Sequence, residues 1–328
     1  MIGRRKLITL LGGAAAAWPL AARAQQPAMP MIGVLSPISD PAARPVIAAF
    51  RSALRDLGYI EGRNVSLALR YGDGIPERMP PLARELVALN ADVIVAGAQS
   101  GALAASAATR TIPIVVVTPE DPVASGLARS IARPGKNVTG TWTFGDDGFV
   151  SKRLEFLQLA VPGVTRIGVL INPDDPTDTV QVPSLLAAAK PLGIAIHIFE
   201  VRDIAQFDDV AAQIAGADIK ALFIGQGPTF YSNRATIASI VIRLRTPAVY
   251  FFREFVEAGG LMSYGPNLPD LWRQSARLVA KILKGDNPAN LPFELPTRYE
   301  LIVNVKTAKE IGLRISDSFL LLADEVIE

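Results

Sequence analysis

Few side chains in this sequence could carry covalent chemistry. The chain holds one histidine and no cysteine, which removes thiol nucleophiles, thiolate metal sites, disulfides and a lipid anchor on an N-terminal cysteine. His197 stands between Ile196 and Ile198 in a strand-like stretch, with no second histidine to complete a metal pair, so a structural place is expected. Gln99-Ser100-Gly101 falls short of the Gly-x-Ser-x-Gly elbow of a hydrolase nucleophile. Gly225-Gln226-Gly227-Pro228-Thr229-Phe230 imitates a dinucleotide fingerprint, but the third glycine is missing and Pro228 would disturb the turn. Gly135-Lys136 continues into Asn137, so no phosphate-binding loop forms there. No catalytic residue, metal or cofactor is expected, and the chemistry that remains is binding.

The elements that must position such binding groups centre on Ile112–Gly140. Val115, Val116 and Val117 form an apolar β-branched run too short for a helix, as in a strand covered on both faces. Asp121 and Pro122 then read as the cap and first position of a short helix whose free N–H groups face a crevice, and Arg133-Pro134-Gly135 turns the chain into another strand. Around this stretch strands alternate with helices. Met31–Leu35, Asn64–Tyr71, Val93–Ala96 and Ile114–Val117 read as strands, and helices run through Phe50 to Leu57, Pro81–Leu89 and Gly101–Ala108. That alternation predicts parallel βαβ units.

The series then repeats. Ile167-Gly168-Val169-Leu170 matches Ile32-Gly33-Val34-Leu35, and Leu192-Gly193 matches Leu57-Gly58, both at an offset of 135 residues. Thr246-Pro247-Ala248-Val249 likewise echoes Ile112-Pro113-Ile114-Val115. Two similar lobes follow: an α/β fold of two doubly wound parallel-sheet lobes joined by a multi-strand hinge, suited to closing on a ligand. The expected division is residues 31–143 plus 262–290 for the N-terminal lobe and 144–260 plus 295–328 for the C-terminal lobe.

Residues 1–24 read as an export signal: the basic Arg4-Arg5-Lys6, an apolar run from Leu7 to Ala17, and the small-x-small Ala22-Arg23-Ala24, with a paired arginine of twin-arginine type. Its removal takes four of the 33 basic residues and none of the 31 acidic ones, leaving 29 against 31, a formal charge of −2. Nothing in that balance attracts a nucleic acid.

Three longer stretches carry a family resemblance: Arg51–Asn64, Asp121-Pro122-Val123 with Arg133–Gly140, and Arg253–Gly265. With Leu283-Lys284-Gly285 and Ala323–Glu328, the chain resembles the substrate-binding proteins of ABC uptake transporters with the type I periplasmic-binding fold, in the group that includes tryptophan-binding members. One departure is Ile315-Ser316-Asp317-Ser318, where the family often has proline. The resemblance implies a periplasmic receptor for a small ligand, partnered by a membrane permease and an ATPase. A sensor partnered with a signalling protein would look the same in sequence, and an exported α/β hydrolase is the rival enzyme class.

In such a fold the ligand contacts come from strand C-terminal ends. The candidates are Ser36, Gln99, Ser100, Thr118 and Asp121 in the first lobe, and Asn172, Gln226, Tyr250 and Tyr264 in the second. Hydroxyls and amides suit a zwitterion, an amino acid or related amphipathic carboxylate. Asp121 reads either as the acceptor of an ammonium or as a plain helix cap. Tyr250-Phe251-Phe252 reads either as an aromatic wall or as strand-end packing, and Arg253 with Glu254 as a rim or hinge pair.

Overall fold

Valine, isoleucine and leucine runs bounded by glycine and proline become the central strands of two sheets in the computed structural model, which describes residues 29–143 and 148–328. The expected export segment, residues 1–24, lies outside the described residues. The first sheet joins β1 (Met31–Ser36), β2 (Ser66–Tyr71), β3 (Val93–Gly97), β4 (Ile114–Thr118) and β5 (Val138–Trp142) in the order β2-β1-β3-β4-β5, all parallel. The second joins β6 (Arg166–Ile171), β7 (Ala195–Glu200), β8 (Ala221–Ile224), β9 (Ala248–Tyr250) and β10 (Met262–Pro266) in the order β7-β6-β8-β9-β10. It is extended by β11 (Tyr299–Asn304), antiparallel to β10, and by β12 (Glu325–Ile327). The two five-strand orders coincide, so the sequence repeat is a repeat of topology.

Helices cover both sheets. α1 (Asp40–Asp56), α2 (Met79–Ala88) and α3 (Ala98–Ala108) belong to the first lobe. The second carries α4 (Gly148–Ala160), α5 (Pro176–Thr179), α6 (Val182–Ala189), α7 (Phe207–Gly216), α8 (Pro228–Ser232), α9 (Arg234–Arg243) and α10 (Arg253–Glu257). α11 (Leu268–Leu283) returns to the first lobe, and α12 (Val305–Glu310) and α13 (Asp317–Leu320) close the chain on the second. Strands β3, β4 and β8 are buried throughout, whereas the edge strands β2 and β7 are only partly covered. His197 lies exposed on β7 with its ring against Phe199.

Among the described residues, the chain passes between the lobes at three places. It leaves the first sheet after Thr143 and enters α4 at Gly148. It returns at Asn267, whose side chain caps α11 by accepting from the Asp270 N–H at 3.1 Å. The apolar face of α11 then meets α1, with Trp272 edge-on to Phe50. Finally the segment at Glu294 runs beside β5, its N–H donating to Gly140 O at 2.9 Å while Trp142 N–H donates to Glu294 O at 3.1 Å, before the chain passes into β11. Met262–Pro266, expected with the first lobe, pairs with β9 and β11 instead. It is the fifth strand of the second repeat and keeps the pairing of its kind, so the crossing falls at Asn267. The short helix expected after Asp121 does not form. Gly126, at φ +73°, reverses the chain before helical bonding can propagate.

Candidate functional site

The C-terminal ends of both sheets face one another, and a cavity lies between them. From the first lobe come Ser36 with Pro37 and Ile38 after β1, Gly97 and Ala98 after β3, Thr118 and Pro119 after β4, and Thr143 after β5. Leu268, Leu271 and Trp272 add one face of α11. The second lobe contributes Thr177 on α5, Gln226, Pro228 and Tyr231 around the start of α8, and Phe251 with Phe252 after β9. Among the described residues lining the cavity, none carries a formal charge.

The walls are aromatic and aliphatic. Phe251 and Phe252 meet edge to face at 4.4 Å between centroids, and Tyr231 stands edge-on to Phe252 at 5.4 Å. Polar groups are sparse, and two of them, Ser36 Oγ and Gln226 Oε1, are buried without a hydrogen-bond partner, while the Tyr231 hydroxyl turns to Glu254. Buried polar atoms in native proteins are nearly always paired, so two orphans around one cavity mark where a ligand's polar atoms belong. Glu254 lies close enough to Tyr231 to raise the phenol further, although burial is the larger cause of that rise. Thr118 donates its hydroxyl proton to Gln99 Oε1, and Gln99 Nε2 donates to Glu120 at 2.5 Å. Burial and neighbouring Asp121 push the Glu120 carboxyl up, while the Gln99 bond holds it down. Ala98 sits in the left-handed region at φ +57°, a strained conformation for a residue with a Cβ, placed at the cavity rim.

Gln226 is aimed by a buried carboxylate. Asp178 Oδ1 accepts from the Gly227 N–H at 2.7 Å, and Oδ2 accepts from the Asn172 N–H at 3.0 Å. A Cβ on Gly225 or on Gly227 would stand 2.6 Å from one of those oxygens. The Gly225-Gln226-Gly227 pattern therefore wraps a carboxylate of the protein, with no nucleotide involved. Arg153, fully buried with its guanidinium 3.9 Å from the centroid of the Phe223 ring, supplies the positive charge that acts on Asp178.

Direct bonds tie the lobes together around this cavity. Gln99 N–H donates to Thr177 Oγ1 at 3.2 Å, Thr229 Oγ1 donates to Gly74 O at 2.6 Å, and Ser39 N–H donates to Ser232 Oγ at 3.1 Å. Gly74 leaves no slack, since a Cβ there would lie 3.1 Å from Thr229 Cα.

The family of ABC transporter substrate binding proteins matches residues 31–327. This chain belongs to that family. It is a family of ligand-binding proteins, not of enzymes, and the fold is the type I periplasmic-binding fold. A tyrosine-binding protein of Clostridioides difficile (strain R20291) is 25% identical over 283 residues, covering 86% of this chain and 81% of the relative. The structure of an ABC domain in complex with L-Trp from Streptococcus pneumonia shares 25% identity at a TM-score of 0.82, covering 91% of this chain and 99% of that one. The ligand-free, open structure of a substrate binding protein with adhesive properties from Clostridium difficile has the same identity and coverage but a TM-score of 0.64.

Of the residues expected from sequence, this substrate-binding protein places Ser36, Thr118 and Gln226 on the cavity. Gln99 stands one bond behind Thr118, and Ser100 lies buried beside it. Asn172 sits in the interlobe network, donating its side-chain amide to Thr229 Oγ1 at 3.0 Å. Asp121 is a cap: its carboxylate accepts from the Val123 N–H at 2.7 Å in an exposed turn, away from the cavity lining. Tyr250 is fully buried and stacked on Phe255 at 4.8 Å, with the alternation of β9 turning it into the second lobe. Tyr264 packs against Phe149 and Phe156, also within that lobe. Arg253 pairs with Glu257, Glu300 and Glu325, joining α10 to β11 and β12. Sequence reasoning did not single out Thr143, Thr177, Tyr231 or the α11 face of Leu268, Leu271 and Trp272. The α11 residues read as the apolar stripe of any amphipathic helix, and nothing local distinguishes a cavity wall from core.

Proposed function

We propose that this protein is the receptor of an ABC uptake transporter for an amino acid with an aromatic or branched apolar side chain. The observation that carries the reading is the cavity: aromatic and aliphatic walls, no lining charge, and unpaired polar atoms on Ser36 and Gln226. A zwitterion is net neutral and matches an uncharged pocket that offers hydroxyl and amide partners at one end and ring faces at the other. The tyrosine and L-Trp named for two relatives support the same ligand class. Closure is proposed as the working motion. At equal identity the chain superposes better on the L-Trp complex than on the ligand-free open form, and the three interlobe bonds hold it shut. Closing would present both lobes at once to a membrane permease and its ATPase, so that ligand state is read as shape. Export by residues 1–24 places this work in the periplasm.

Thermal-shift screening of the amino acids followed by calorimetry tests the reading. A ligand at 100 times its dissociation constant stabilises by about 2.7 kcal/mol. L-tryptophan, L-tyrosine or a branched apolar amino acid should give that shift. Silence across all amino acids, with another metabolite retained in native mass spectrometry, would overturn the ligand class.

A further inference from the structure

Asp175 is the buried acid that the ligand cavity does not explain. Its side chain is inaccessible to solvent at the start of α5, on the face of the second lobe that meets the first. Oδ1 has a partner within its own lobe, the Thr177 N–H at 2.8 Å, but Oδ2 has none. The first lobe meets the second beside Asp175. The next residue but one, Thr177, takes its interlobe bond from Gln99 N–H, and Ser100, adjacent to Gln99, lies close enough for its hydroxyl to act on the Asp175 carboxyl.

The surrounding charges are unfavourable to a carboxylate. Glu77, from the 3₁₀ turn Pro76–Arg78 of the first lobe, adds a like charge across the interface, and Asp178, on the same helix, is itself pushed up to about 8 by burial and by Asp175. Among the described residues the nearby cations are engaged elsewhere. Arg78 pairs with Asp73, Arg202 pairs with Asp174 at 3.0 Å and with Glu200 at 2.9 Å, and Arg153 acts on Asp178. The groups of α3 that face Asp175, Gln99 and Ser100, are uncharged. Burial and Glu77 push the Asp175 carboxyl up, while the Thr177 and Ser100 bonds hold it down. An anion shut into this interface would lose its water and face the like charge of Glu77, with the Thr177 N–H and the Ser100 hydroxyl as partial compensation, whereas a neutral acid carries neither penalty.

We infer that Asp175 is a proton site of the shut receptor: the lobes close over it as a neutral acid, so ligand capture takes up a proton. The inference rests on the closing motion and amino-acid ligand proposed above, and it adds the proton as a second ligand. The sign follows from linkage. The shut form holds the proton more tightly than the open form, in which Ser100, Gln99 and Glu77 have withdrawn and water reaches the carboxylate. Affinity is therefore greatest below the open-form pKa and falls as pH rises towards the shut-form value, by up to about tenfold per pH unit between the two.

Calorimetry with L-tryptophan and L-tyrosine, in two buffers of different ionisation enthalpy near pH 6, reads proton uptake directly. Wild type should take up a proton on binding. Asp175→Asn keeps the side-chain oxygen that caps Thr177, and it should bind with no Asp175-linked uptake and a flatter pH profile. Equal uptake and equal profiles in both proteins would overturn the inference. A second arm needs no ligand. The chain has no cysteine, so Ser39→Cys with Ser232→Cys introduces a single pair across the cleft. The oxidised, shut form should hold more protons near pH 6 than the reduced form, with the excess lost when Asp175→Asn is added. If neither amino acid binds, the ligand class falls, and the locked pair alone decides the proton site: no excess on locking refutes it.

Discussion

Glu254 shows how burial sets chemistry at a single residue. It is 8% exposed on α10, and burial pushes its carboxyl up to about 7, with Glu257 adding repulsion while Arg234 and Tyr231 oppose the rise. A folded-state value above the unfolded one means that the native protein holds the proton more tightly. The stabilisation is complete below the unfolded value near 4.5 and is lost as pH rises through about 7. The span corresponds to about 3 kcal/mol at most. Glu254→Gln should flatten the fall in melting temperature between pH 5 and pH 8 and melt higher than wild type at pH 8, and a slope identical to wild type would refute this. Two neighbouring aromatic residues, at the end of β9 and just beyond it, should separate in the same way. Phe252 is half-buried and lines the cavity, so Phe252→Ala should weaken binding of L-tryptophan roughly tenfold, from about 1.4 kcal/mol of lost contact, with a modest change in melting temperature. Tyr250→Phe removes an unpartnered hydroxyl from the core. It should leave the affinity unchanged and the melting temperature equal or higher, measured by calorimetry and thermal denaturation.

At the level of elements, β5 lies too close to β4 at Gly140 to admit a side chain there. Gly140 adopts φ +153°, and a Cβ there would stand 2.0 Å from Val116 O, the backbone of its partner strand β4. Gly140→Ala must part β4 from β5 and disturb the Glu294 segment bonded beside them, costing roughly 3–5 kcal/mol, which a shift in the denaturant midpoint would show. This position also shows what sequence reveals and what it hides. Val115–Val117 and the echo of Ile32–Leu35 in Ile167–Leu170 disclosed the strands and their repetition, because β-branched runs and helix periods are local signals. The turn after Asp121 was misread because Asp-Pro begins turns as readily as helices, and Gly126 settles which. Ser36, Thr118 and Gln226 were legible as cavity residues because polar groups at strand ends follow from topology. Trp272 was not, since its role depends on α11 returning through Asn267 to the other lobe, a long-range fact that no window of sequence contains.

For the whole molecule, the proposed closure would rest on contacts that form only where the lobes meet. Ser39 N–H to Ser232 Oγ, at 3.1 Å, is one of these and lies outside the cavity lining, so changing it does not alter what the ligand touches. Within its own lobe Ser232 merely ends α8. In an open receptor both groups face water, and the bond adds nothing to the stability of either lobe. A ligand shifts the population towards the shut form only by its preference for that form, so losing a bond peculiar to it lowers affinity without any loss of ligand contact. Ser232→Ala should therefore weaken L-tryptophan binding by about two- to tenfold, the equivalent of 0.5–1.5 kcal/mol for one hydrogen bond, chiefly through faster release. Stopped-flow kinetics would read the release rate, and scanning calorimetry of ligand-free protein would read the reference state. An unchanged ligand-free melting temperature beside a raised release rate is the expected pair. A ligand-free melting temperature lowered as much as the ligand-bound one would mean that the lobes rest shut without ligand, and closure would then not be what the ligand drives.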